Sequence, residues 1–261
     1  MAASPLLCKL PFVAVLLAAS QAQAALPVFP NTQVSGTVFF NLGPRIDSGT
    51  LGPISLMDPR WGTVALDIAG QPQSAVAASA QMSNTNFSAL YGRAVGTLGF
   101  FVAVDGPGTH VDVNIHSFGS VNASASSGAS FVVRASWEFW NEAGQVTLLA
   151  GDEISTPQMS GSFSDSFNNV VTRSLEIGHT YFVRMVANAE AAATNPNSTA
   201  SAFAFVDPVF SIGGGFDPAL YTFGFSNGIG NTPVPEPSVA ALLALGLAAL
   251  AWRRRRSASA A

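Results

Sequence analysis

The stretch "SFVVRASWEFW", Ser130 to Trp140, decides the fold class. Phe131, Val133, Ala135, Trp137 and Phe139 occupy alternate positions, with Val132, Arg134, Ser136, Glu138 and Trp140 between them. A period of two sends the first set to one face of a β-strand and the second to the other. A slip of one residue would turn the whole apolar set outward, so the register is firmly specified. The same alternation recurs in "THVDVNIH" from Thr109, where Val111, Val113 and Ile115 oppose His110, Asp112, Asn114 and His116.

Working outward, further short runs carry strand composition: "VSGTVFF" from Val34, "TVALDIA" from Thr63, "SAVAASAQ" from Ser74 and "LGFFVAV" from Leu98. Beyond the central stretch come "QVTLLA" from Gln145, "SGSFSDSF" from Ser160, "HTYFVRMVANAEA" from His179, "TASAFAFV" from Thr199 and "PVFSI" from Pro208. Gly, Pro and Asn separate them, and no helical period is sustained between the two ends. The expectation is an all-β chain forming a single β-sandwich, jelly-roll-like or Greek-key. Two runs rely on alanine: Ala75, Ala77, Ala78 and Ala80, then Ala187, Ala189 and Ala191 to Ala193. Alanine has low strand propensity and buries little, which predicts sheet edges or thin faces for them. Leu175, Gly178 and Tyr181 have a spacing that resembles the tyrosine corner of Greek-key sandwiches.

Composition narrows the function classes. Cys8 is the only cysteine and lies in the leader described below, so disulfides, thiol catalysis and cysteine-ligated metals are excluded from the rest of the chain. From Ala25 to Thr232 there are six arginines, no lysine and fourteen acidic residues, a net charge of 6 − 14 = −8. An acidic, lysine-free exterior argues against nucleic-acid binding, which draws its affinity from neutralised phosphates.

No nucleophile elbow, zinc-protease or phosphate-loop motif is present, and the run Gly213 to Gly215 has neither a following lysine nor a helix. The chain is therefore expected not to be an enzyme and to need no cofactor. The strongest local cluster is His110, Asp112 and His116 on one strand face. Same-face neighbours lie ~7 Å apart and the outer pair ~13 Å, so two neighbours could share an ion but the whole row could not. Ca²⁺ is the other candidate, through Asp105, Asp152, Glu153, Asp207 and Asp217, all read as lying at strand ends or turns. For a sugar ligand, flat rings would be needed, and Trp140, Trp61 and Tyr221 are the candidates.

The two ends read as processing segments. Lys9, the uncharged stretch Leu10 to Ser20 and the small-x-small triplet Ala22-Gln23-Ala24 form a secretory signal peptide over residues 1–24. The ectodomain then covers 25–226, with 227–232 as a Gly- and Asn-containing linker. At the other end, "TPVPEPSVAALLALGLAALAWRRRRS" places Pro235-Glu236-Pro237 before an uncharged run ending at Trp252, followed by Arg253, Arg254, Arg255 and Arg256. From Pro237 to Trp252 that run is ~24 Å as a helix, short against a ~30 Å hydrocarbon core. The arginines would remain cytoplasmic and the ectodomain outside.

This order of motif, apolar helix and arginine cluster over residues 233–256 closely resembles the PEP-CTERM sorting signal of Gram-negative bacteria. The resemblance implies export, retention in the membrane and processing near the motif by an exosortase-type enzyme, with final placement at the cell surface or outside it. It further implies a structural or adhesive role in exopolysaccharide or biofilm. A carbohydrate-binding or carbohydrate-active module is the alternative.

Overall fold

The computed structural model describes residues 28–85, 89–141 and 147–231. Along them run β1 (Gln33–Phe40), β2 (Arg45–Ser48), β3 (Gly52–Asp58), β4 (Gly62–Ala69), β5 (Ala75–Ser83), β6 (Leu90–Asp105) and β7 (His110–Ala125). These are followed by β8 (Ala129–Trp140), β9 (Leu148–Ser155), β10 (Gly161–Glu176), β11 (Tyr181–Ala193), β12 (Thr199–Ile212) and β13 (Thr222–Phe225). Every pairing is antiparallel. One sheet has the order β2-β1-β6-β11-β8-β9, with β13 also paired to β6, and the other the order β10-β7-β12-β5-β4-β3.

Strands β5 to β12 define the core architecture. Taken in spatial order they give β5-β12-β7-β10 facing β6-β11-β8-β9, the connectivity of a jelly roll. The pairs β3–β4 and β1–β2 widen its two sheets on one side. Between the sheets lies one continuous apolar cluster. The inward set of β8 is there as the alternation requires: Phe131, Val133, Ala135, Trp137 and Phe139 are all buried. In the first half of β7 Val111, Val113 and Ile115 are buried, and the polar set of that stretch faces outward.

The alanine-rich strands are not at edges. β11 lies between β6 and β8, and β5 between β4 and β12. The reason is the thickness of the sandwich. Ala187, Ala189, Ala191 and Ala193 are fully buried alongside Ala78, Ala80, Ala202 and Ala204, so small side chains let the central strands approach closely. Elsewhere large residues of one sheet fill space over glycines of the other: a Cβ on Gly96 would collide with Leu66 and Val76.

Two runs expected to be separate strands, "TASAFAFV" and "PVFSI", are one strand, β12. Proline is tolerated within a strand where its missing N–H faces no partner. The N–H of Phe210 points away from β7, to the side chain of Asn231. By the period of two, Pro208 faces the same side, and there the β5 pairing has already ended at Val206–Val76.

The segment read as a linker from 227 is packed on the sandwich through Asn231. Ile229 is buried, Gly230 donates to the Gly70 carbonyl at 2.6 Å, and Asn231 forms an isolated bridge with Gln73. The tyrosine corner is present: the Tyr181 hydroxyl accepts from the Glu176 N–H at 2.8 Å, and Gly178 has φ 77°. It ties the start of β11 to the connection arriving from the opposite sheet.

Candidate functional site

The row on β7 faces solvent as expected, but its members have separate partners. His110 contacts the Thr109 hydroxyl at 3.2 Å, while His116 reaches Asn168 Oδ1 on β10 at 2.6 Å. Between them Asn114 accepts from Thr172. Asp112 is half-buried. Among the described residues, no three His, Cys, Asp or Glu side chains are gathered closely enough to hold a metal ion.

Four of the five carboxylates considered for Ca²⁺ lie in strands, Asp105 as the last residue of β6. Asp152 on β9 accepts from Ser117 on β7 (3.0 Å), Trp137 on β8 (3.0 Å) and Asn169 on β10 (2.9 Å). Ser117 and Trp137 are both fully buried, so this carboxylate pins the two sheets together at one end. Glu153 pairs with Arg134 at 3.0 Å. Asp105 caps its own turn by accepting from Gly106, and Asp217 accepts from Ala219 at the start of a 3-10 turn.

Asp207, in the middle of β12, is different. Gln73 donates to its Oδ2, while Oδ1 is buried without a hydrogen-bond partner. Burial pushes this carboxyl up to about 6, against the opposing influence of Gln73 and the nearby His116.

The rings proposed for sugar stacking are largely engaged. Trp140 is half-buried and donates to Glu138 Oε2 at 3.1 Å. Trp61 packs edge-on against Phe40, with the Arg60 guanidinium 4.8 Å from its ring centre. Tyr221 lies edge-on to Phe216. Among the described residues the open rings are Phe118 on β7 and Phe203 on β12, 40% and 39% exposed, with the half-buried Phe205 5.9 Å from Phe118. The alternation of "THVDVNIH" continued through Ser117 would have placed Phe118 outward; ending that run at His116 hid it.

The two outer faces differ in charge. On the β6–β11–β8 side, Arg93–Glu190 (2.8 Å), Arg134–Glu153 (3.0 Å) and Arg184–Glu138 (2.9 Å) link neighbouring strands. Tyr91 adds a 2.7 Å hydrogen bond to Glu190, and burial raises its phenol pKa. The opposite face presents Ser79, Ser120, Asn122, Ser124 and Ser201 around Phe203 and Phe205. Among the described residues, its outward positions carry carboxylates and histidines but neither arginine nor lysine.

Pro235, Glu236, Pro237 and Arg253 to Arg256 lie outside the described residues, as does the signal segment 1–24. Among the described residues no helix is long and apolar enough to cross a membrane. Residues 233–256 match the PEP-CTERM protein-sorting motif. The motif marks a chain for export, for processing by the membrane enzyme exosortase and for a surface or extracellular location. No curated protein matches the chain.

Proposed function

We propose that the protein is a non-enzymatic structural or adhesive component of the extracellular matrix of a Gram-negative bacterium. A signal peptide over residues 1–24 directs export. The apolar run to Trp252 holds the chain in the membrane, and Arg253 to Arg256 fix its orientation. Exosortase then acts near Pro235-Glu236-Pro237, and the sandwich is placed in an exopolysaccharide or biofilm matrix without need of a cofactor. The observation that carries this reading is the sorting motif at residues 233–256.

The test is made in the native cells. Pro235→Ala together with Glu236→Ala should accumulate the heavier, membrane-held form, and deletion of the protein should reduce matrix cohesion. Unchanged processing of the double variant would contradict the sorting step, and an intact matrix on deletion would contradict the structural role.

A second reading, carbohydrate binding, is favoured by the exposed Phe118 and Phe203 among serine and asparagine side chains. Such a face suits an uncharged glycan better than an acidic one, because its charged groups are mainly carboxylates. A soluble neutral β-glucan should retard the protein in an affinity gel, and Phe203→Ser should abolish the retardation. Equal retardation of the variant would remove the face from consideration.

A further inference from the structure

Where the described chain ends, the sandwich is open on one side. Beyond Val206, β12 no longer has β5 beside it. β13 is held by β6 over Thr222 to Phe225. Between β12 and β13 is a cleft of about 510 Å³ whose lining includes Phe210, Ile212, Pro218, Tyr221, Phe223 and Phe225. The rings of Phe210, Phe223 and Phe225 stand 6.1 to 6.3 Å from one another.

Asn231 is on the rim of this cleft. Its side chain accepts from the Phe210 N–H and donates to the Phe210 carbonyl, both at 2.9 Å, occupying the edge that β5 leaves. Asn231 also pairs antiparallel with Gln73, just before β5, and β5 is antiparallel to β12. The chain at Asn231 therefore runs in the direction of β12, toward Ile212. The next residues in sequence are Thr232-Pro233-Val234-Pro235-Glu236-Pro237.

We propose that this proline-rich segment is the occupant of the cleft, docked in cis against Tyr221, Phe223 and Pro218. Aromatic-lined grooves bind proline-rich chains because their extended conformation is already restricted and loses little entropy on binding. Six residues at ~3.1 Å each reach ~19 Å, ample to cross a cleft that begins at Asn231. Ile212 shares the parity of Phe210, so its N–H faces the same side and offers a donor to a proline-rich chain's free carbonyls. Docking would hold the sorting motif against the folded domain until the processing enzyme engages it.

Disulfide trapping in the full chain tests this, with Cys8→Ser as background. Val234→Cys is paired with Pro218→Cys on the cleft wall or with Gln71→Cys, whose side chain lies beside Gly230 and does not line the cleft. Docking predicts an intramolecular disulfide to position 218 forming at least about tenfold faster than to position 71, beyond what a shared short tether gives both. Tyr221→Ala should erase the preference. So should Pro233→Gly with Pro235→Gly, which leaves the sandwich itself unaltered. Equal rates at the two positions, or disulfides between chains, would overturn the docking. Docking and processing near the motif fail separately, since trapping is read on purified protein without the enzyme.

Discussion

Asp207 shows how much one side chain's setting matters. Its sequence neighbour Pro208 makes the pair look like a turn, yet both lie inside β12, with the carboxyl mostly buried beside Gln73 and His116. The folded carboxyl holds its proton up to about pH 6, whereas an unfolded aspartate releases it near pH 4. The folded state therefore binds this proton more tightly. Asp207 favours folding fully below the unfolded value, and that contribution is lost as pH rises through about 6. Asp207→Asn keeps an acceptor for Gln73 and removes the buried charge. It should stabilise the protein near neutral pH by about 1 kcal/mol, discounted for partial exposure, and flatten the stability profile between about pH 4 and 6. Thermal melts across that range are the measurement, and a destabilised Asn variant at neutral pH would contradict the account. No sequence pattern identifies this residue, because its environment comes from strands distant in the chain.

At the level of elements, alternation carried most of the information. The two faces of β8 and the first half of β7 follow directly from their sequences, and the tyrosine corner follows from Leu175, Gly178 and Tyr181. Tyr181→Phe should cost about 0.5–1.5 kcal/mol, the worth of one hydrogen bond to backbone, seen as a lower denaturation midpoint with an unchanged slope. What was hidden is where strands stop and which are central. β2, β3 and β13 were missed: β2 and β13 have four residues each, and β3 begins with Gly52-Pro53. Alanine strands look peripheral when judged by propensity, but the second sheet makes them suitable for the centre. Gly96→Ala tests that fit. Its new methyl would meet Leu66 and Val76, so a loss of about 1–3 kcal/mol is expected by chemical denaturation, whereas strand propensity alone predicts a gain.

For the whole molecule, the faces divide the work. Arg93, Arg134 and Arg184 are spent in cross-strand ion pairs on one side, leaving the other side with hydroxyls, amides and open rings. The acidic balance and the missing lysines were legible from composition, but their separation by face was not, since it depends on which strands share a sheet. The address of the protein was the most legible feature, because a sorting motif is read by order and composition and needs no fold. The most direct measurement is intact mass spectrometry of the protein isolated from its native cells. The account predicts a mature chain that begins near Ala25, ends near Pro235 and lacks Arg253 to Arg256. A mature chain that retains Trp252 and the arginines would contradict it.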